Sequence, residues 1–245
     1  MTNTLMQDTA IVTGASSGIG AATCHELADA GANVVLAARS EDRLRDHADD
    51  IETSKSVETL VVPTDVRDEE DVDALVEATV DRFGGIDVLV NNAGLLRGSD
   101  VESMTTDEFE TMQRTNVDGV FYATRAALPH VRDRSGHLIF VASFAGQYPR
   151  SFNPVYAASK WWVRGFAKSI AADIGADGVG VTVINPSEVR SQFEADGTTF
   201  ADRFGEDEVS EPKEVAEAIR FAATREGSSV SELDLYRRDK LADGF

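Results

Sequence analysis

The chain has 245 residues, 42% of them hydrophobic, enough to bury a full core in one soluble domain, and no apolar run is long enough to cross a bilayer. Its formal net charge of -20 at pH 7, from 43 Asp and Glu against 23 Lys and Arg, opposes binding to nucleic acid or to an anionic membrane. A single cysteine, Cys24, excludes an internal disulfide and a thiolate cluster for metal.

Strand-like and helical patterns alternate along the chain. Thr9 to Val12 reads as a buried strand, followed by Thr13-Gly14-Ala15-Ser16-Ser17-Gly18-Ile19-Gly20 and an Ala-rich helix that stops at Gly31. A strand over Asn33–Ala38 and a polar helix over Ser40–Ser54 come next, then a strand over Val57–Pro63. From Asp68 the apolar positions Val72, Leu75, Val76, Val80 and Phe83 fall at helical spacing, and Gly84-Gly85 ends that helix. After a strand over Ile86–Val90, a long helix is expected from Thr106 to Leu128, with Pro129 near its end. A strand over His137–Ala142, a helix over Pro154–Ile174 and a strand over Val179–Ile184 follow. Residues Ser187 to Glu211 read as an irregular substrate loop, and a helix over Pro212–Thr224 and a strand over Val230–Leu235 complete the pattern. Such alternation predicts an α/β fold, a single Rossmann-type domain over residues 1–245 in which a doubly wound parallel sheet of about seven strands carries helices on both faces.

A ligand of such a sheet binds beyond the carboxyl ends of its strands, which directs attention to the glycine turn, Ala38-Arg39, Asp65-Val66, Asn91 to Gly94, Ser143 and Pro186 to Ser191. A glycine turn between strand and helix lets an anion approach unpaired N–H groups at the positive end of the helix dipole. The spacing of Gly14, Gly18 and Gly20 is G-x-x-x-G-x-G, which is not the G-x-G-x-x-G dinucleotide fingerprint. Tyr156 and Lys160, four residues apart on a helix, share one face, where an ammonium is expected to lower the pKa of a phenol. Ser143 stands thirteen residues before Tyr156, at a strand end.

Taken together and in order, Thr13-Gly14-x-x-x-Gly18-Ile19-Gly20, Asn91-Asn92-Ala93-Gly94, Asn116, Ser143 and Tyr156-x-x-x-Lys160 resemble the short-chain dehydrogenase/reductase family over essentially the whole chain. The resemblance implies an NADP(H)-dependent oxidoreductase of ketones, aldehydes or alcohols, with Tyr156 as general acid or base and Ser143 bonding the substrate oxygen. It implies that Lys160 tunes Tyr156 and bonds the nicotinamide ribose, and that Asn116 bends its helix and holds a relay water. Gly14, Ser16, Ser17, Gly18, Ile19 and Gly20 would hold the dinucleotide, with Asp65 and Val66 at the adenine. Asn91, Ala93, Gly94, Pro186, Val189 and Ser191 would border the rest. Where the family commonly has Pro-Gly-x-Val-x-Thr, this chain has Pro186-Ser187-Glu188-Val189-Arg190-Ser191, which leaves that loop's path open.

An NAD site usually places a carboxylate after the second strand. Here Ala38 and Arg39 stand there, which favours the 2′-phosphate of NADP(H), with Ser16 as a second donor. Leu95, Leu96, Phe144, Gln147, Tyr148, Phe152 and Phe193 are candidates for an apolar substrate wall, and Arg97, Arg150 and Arg190 for a carboxylate. Trp161, Trp162, Val163 and Phe166, spread around one helix, suggest burial on several sides, and the resemblance implies that this helix and the one containing Asn116 pair between subunits, in a homotetramer or else a dimer. No metal site is expected. The polar start, Met1 to Asp8, and the excess of acid point to a cytoplasmic protein, one adapted to high salt. Alternatives are an NADPH-binding sensor without turnover or a nucleotide-sugar epimerase or dehydratase. The four histidines form no triad pattern with Ser143.

Overall fold

Alternation along each strand sorts the core into two layers. In β1 (Thr9–Thr13) Ala10 and Val12 pack on one side of the sheet and Ile11 on the other, and in β2 (Asn33–Ala38) Val34 and Leu36 oppose Val35 and Ala37. Strands buried on both faces are what a parallel sheet between helical layers requires. The computed structural model describes residues 4–98, 100–150, 152–195 and 197–242. Residues 1–3, within the polar start, residue 196, within the expected substrate loop, and residues 99, 151 and 243–245 lie outside that description.

Further along come β3 (Thr59–Pro63), β4 (Val88–Asn91), β5 (His137–Val141), β6 (Gly180–Pro186), a small hairpin of β7 (Glu194–Ala195) and β8 (Thr198–Thr199), and β9 (Glu232–Leu235). The main sheet has seven strands in the order β3-β2-β1-β4-β5-β6-β9, every pair parallel, so the fold is the single-domain α/β Rossmann-like architecture expected. One face is covered by α1 (Gly18–Asp29), α2 (Glu41–Ser54) and α8 (Pro212–Ala223), which insert Leu27, Leu44, Ile51, Val215 and Ile219. The other face is covered by α3 (Glu69–Phe83), α5 (Gly119–Asp133) and α6 (Pro154–Ile174) through Val72, Leu75, Val120, Val131 and Val163. β1 and β4 are neighbours in space while their following segments run to opposite sides, so the crevice opens between them. Among the described residues, no helix is long and apolar enough to cross a membrane.

Two expectations change. The helix from Thr106 is not continuous: α4 (Thr106–Gln113) leads into a π-helical turn (Arg114–Asp118) and then α5, which runs through Pro129 to Asp133. Proline in a helix interior costs about 3 kcal/mol, but the turn beyond it buries Val131 completely, and that packing carries the helix onward. The loop from Ser187 to Glu211 is not wholly irregular either. Gly197, at φ 73°, turns the β7–β8 hairpin, and Thr199 caps a single helical turn, α7 (Phe200–Arg203), by accepting from the Asp202 N–H at 3.1 Å. Elements of two to four residues are too short for periodicity to register.

Candidate active site

A cavity of about 710 Å³ runs along the carboxyl ends of the strands. At its centre the turn after β1 bends through Gly14 and Gly18, whose φ values of 69° and 55° other residues rarely adopt. Ser17, the N-cap of α1, makes no side-chain bond to the helix, and the first turn carries no acid, so open N–H groups border the cavity. Gly20 has a different part from the rest of the motif. A Cβ there would stand 2.2 Å from the Gly14 carbonyl oxygen and 2.6 Å from Asn92 Nδ2, so this glycine brings α1 against the turn and lies outside the cavity wall.

Thr13, which was not among the candidates, fastens the turn to the neighbouring loop. Its hydroxyl donates to the Val90 carbonyl at 3.2 Å and accepts from the N–H groups of Asn92 and Ala93, both at 3.1 Å, while Asn92 Nδ2 donates to the Thr13 carbonyl at 2.8 Å. Asn92, Ala93 and Gly94 border the cavity. Asn91 does not: as the last residue of β4 its side chain points inward and donates to Thr124 Oγ1 at 3.1 Å. Strand alternation within Asn91-Asn92 would have exchanged the two assignments.

At the end of the cavity beyond β2 and β3 the wall carries Arg39, Arg43 and Arg67 beside Asp65 and Val66. Asp65 accepts from Arg67 Nε at 2.9 Å and from Nη2 at 2.5 Å, and these bonds, outweighing partial burial and aided by the Arg39 charge, hold its carboxyl below the usual range. Asp65 is therefore already engaged, and the guanidiniums outnumber the carboxylate. Arg43, one turn into α2 from Arg39, was legible from helical spacing but passed over.

Ser143 follows β5, and its hydroxyl accepts from the Ala145 N–H at 3.1 Å and lies close enough to the phenol of Tyr156 to favour its ionised form. Tyr156 stands at the start of α6, where Asn153 caps the helix by accepting from the Tyr156 N–H at 2.9 Å. The same Asn153 amide donates to the carbonyls of Arg97 at 3.1 Å and Gly98 at 2.9 Å, which ties the helix start to the loop after β4. Asn153, fully buried and directly before Pro154, carries an N-cap signal that the sequence reading did not use. Lys160 Nζ donates to the Val141 carbonyl at 3.0 Å and sits 5.9 Å from the centroid of the Tyr156 ring.

Burial pushes the Tyr156 phenol up to about 12, against the opposing pull of the Ser143 hydroxyl and the Arg150 charge, and pushes the Lys160 ammonium down to about 8. The expected lowering of the phenol by Lys160 is not seen: both groups have lost their water, and desolvation favours the neutral form of each. Asn116 lies in the π-helical turn, where the Gly119 N–H reaches back to the Arg114 carbonyl. Its side chain accepts from the Leu95 N–H at 2.9 Å and donates to the Leu95 carbonyl at 2.8 Å and to Ser159 Oγ at 3.1 Å, so it fixes the loop after β4 from behind the cavity.

The chain's departure after β6 has a structural counterpart. The Ser187 N–H donates to the Leu235 carbonyl at 2.8 Å, its hydroxyl accepts from the Arg237 N–H at 3.0 Å, and Glu188 is ion-paired with Lys240. The segment after β9 therefore pins the loop that brings Pro186, Val189 and Ser191 to the cavity. Ser191 Oγ donates to the Val189 carbonyl at 3.2 Å and accepts from the Phe193 N–H at 3.3 Å.

On the far side of Tyr156 the wall includes Leu95, Leu96, Phe152 and Phe193, together with Phe200 and Phe204 from the α7 segment. Three expected wall residues turn away. Phe144 stacks on Tyr148 at 4.5 Å and meets Tyr236 edge-on at 5.1 Å, and Gln147 donates to Glu232 and Asp234, both at 2.9 Å. Of the three arginines considered for an acidic substrate, Arg190 is committed to Glu211 at 2.6 Å, while Arg97 and Arg150 both lie in the wall, facing Glu194 at 3.7 Å and Glu188 at 3.8 Å, and Arg150 Nε is the one buried without a partner.

The family model described as short chain dehydrogenase matches residues 8–200. An uncharacterized oxidoreductase of Staphylococcus aureus (strain USA300) is 36% identical over 222 residues, which span 90% of this chain and 93% of the relative. Among solved structures, an alcohol dehydrogenase from the archaeon Thermococcus sibiricus, complexed with 5-hydroxy-NADP, superposes with a TM-score of 0.88 at 29% identity, covering 94% of this chain and 97% of the other. A 3-ketoacyl-(acyl-carrier-protein) reductase from Brucella melitensis, complexed with NADH, gives a TM-score of 0.85 at 30% identity, covering 94% of this chain and 97% of the other.

Proposed function

The chain belongs to the short-chain dehydrogenase family and is an oxidoreductase, and on that footing we propose that it reduces a ketone or aldehyde to an alcohol, reversibly, with NADP(H) preferred over NAD(H). The observation that carries this reading is the convergence of Ser143, Tyr156 and Lys160 on a cavity whose middle is an uncapped helix N-terminus behind a glycine turn. When bound, the dinucleotide supplies the hydride. Ser16, Ser17, Gly18 and Ile19 would cradle its pyrophosphate, with Gly14 shaping the turn. Val66 and Asp65 would meet the adenine, and Ala93, Gly94, Pro186, Val189 and Ser191 the nicotinamide half.

Tyr156 Oη gives its proton to the carbonyl oxygen as negative charge develops there, and Ser143 Oγ hydrogen-bonds the same oxygen and holds it in place. A phenol kept protonated throughout the neutral range is suited to act as the acid when a carbonyl is reduced. Lys160, anchored on Val141, bonds a ribose hydroxyl and recharges Tyr156, with Asn116 keeping the adjoining loop in register. Preference for the 2′-phosphate is supported by Arg39, reinforced by Arg43 and Ser16, where an NAD site would carry an acid.

Exposed Phe121 on α5 and Trp161 on α6, 39% and 47% accessible, support a homo-oligomer, a tetramer or else a dimer. The charge of -20 supports a cytoplasm rich in salt. The test is a screen of ketones, aldehydes and keto acids with NADPH and NADH in molar KCl, followed at the absorbance of the reduced nicotinamide. Oxidation of NADPH that disappears in Tyr156→Phe supports the proposal. Tight NADPH binding with no turnover of any compound would favour a sensor instead, and unchanged activity and melting temperature in dilute buffer would end the salt argument.

A further inference from the structure

Resting on that reading, we propose that the carbonyl substrate carries a carboxylate and that Arg150 receives it. Arg150 lies in the wall of the substrate half of the cavity, with Phe152 beside it and Tyr156 close enough to feel its charge. Its guanidinium spans two aromatic faces, 4.9 Å from the centroid of Phe144 and 5.2 Å from that of Phe152, which fixes its plane at little cost in side-chain entropy.

What it lacks is a committed anion. Its nearest carboxylate among the described residues, Glu188, stands 3.8 Å away, beyond hydrogen-bond length, and Arg150 Nε is buried without a partner. Glu188 is held instead by Lys240, whose ammonium is nearly buried. Two cations thus share one carboxylate, leaving about one positive charge at the wall in a chain that is otherwise strongly acidic. Removing water from an arginine without pairing it is costly, and a carboxylate bound across its fork would recover that cost. Phe152 and Phe193 border the same space, so the remainder of the substrate is apolar.

The test compares three aryl keto acids, benzoylformate, 3-benzoylpropanoate and 4-benzoylbutanoate, each with its methyl ester. Dissociation constants are measured on the NADPH-loaded protein by cofactor fluorescence, alongside turnover. At least one acid is expected to bind ten-fold or more tighter than its ester. Arg150→Gln should then weaken the acid by about 10- to 100-fold, as loss of a charge-assisted bond implies, and shift the ester less than about three-fold. Glu188→Gln should act in the opposite direction and tighten the acid, an inversion of sign that a purely structural disturbance would not produce. Esters that bind as well as acids, equal losses for both in Arg150→Gln, or acids that bind nowhere would each overturn the proposal. If acids bind in an Arg150-dependent way but no compound is reduced, this inference stands and the reductase reading fails. If neutral ketones alone are reduced and Arg150→Gln is silent, the reverse holds.

Discussion

In the half of the cleft above β1, β2 and β4, the contacts that matter run through backbone and fully buried groups: Thr13 to Val90, Asn92 and Ala93, and Gly20 against Gly14. In the half beyond Tyr156 they run between side chains on loops far apart in the chain, as Gln147 to Glu232 and Glu188 to Lys240 do. On the proposed reading the first half would bind a dinucleotide and can be built rigidly from strand ends. The second must fit one substrate, and loops held by side chains can vary without disturbing the sheet. Rigidity in one half and side-chain adaptation in the other predict different failures when each is cut.

The largest expected effect lies at the boundary of the halves. Tyr156→Phe should lower NADPH-dependent turnover by about 10³-fold, within the usual range for a general acid, while NADPH affinity measured by fluorescence titration stays within about three-fold. A comparable loss of NADPH affinity would show that the division is drawn in the wrong place. Next comes Gly20→Ala, which forces a Cβ onto the Gly14 carbonyl. Overpacking against backbone should cost about 3 kcal/mol, or about 6–12 °C in Tm by calorimetry, and an unchanged Tm would break the claim that this half is rigid.

A smaller and more selective change is expected of Arg39→Ala. Its loss should raise the Kd for NADPH by about 10- to 100-fold and leave that for NADH nearly unchanged, by the value of hydrogen bonds to a charged group. Equal losses for both cofactors would remove the basis for NADP(H) preference.

The smallest effect tests the opposite end of the sheet, away from either half. Burial, together with the neighbouring Asp87 charge, pushes Asp8 up to about 6 in the folded chain, above its ordinary carboxylate range. Folded protein therefore holds this proton more tightly than unfolded chain does, so stability from this group falls as pH rises from about 4 to 6. Since Asp8 is half-exposed, Asp8→Asn should add about 1 kcal/mol, or about 2–4 °C in Tm, at pH 7 and nothing at pH 4. An equal gain at both pH values would show that the charge is not the cause.

Legibility followed the same division. Strand and helix positions, the order of the sheet's chemistry and the glycine turn could be read because each depends on neighbours a few residues away. Asn91 was read as bordering the cofactor mainly through its backbone because a motif names it, whereas it lies outside the cavity wall and its side chain turns inward to Thr124. Phe144, Gln147 and Tyr148 read equally well as wall residues, yet β9 and the segment after it, some ninety residues on, draw them to the sheet edge. Ser187 read as a departure from pattern and Glu188 as its variable neighbour, and their partners Arg237 and Lys240 are invisible at that distance in sequence.

The sequence by itself determined the parallel sheet and the strand ends along which the cavity lies, because periodicity and local spacing set which residues share a face, while Ser143, Tyr156 and Lys160 were singled out by the family resemblance. Tertiary structure alone decided how those groups titrate, since burial pushes both Tyr156 and Lys160 toward their neutral forms, and which arginine is left for a ligand, since Glu211 occupies Arg190 while Lys240 holds the carboxylate nearest Arg150. Desolvation and ion pairing depend on what surrounds a group in space, and only the folded chain assembles those surroundings.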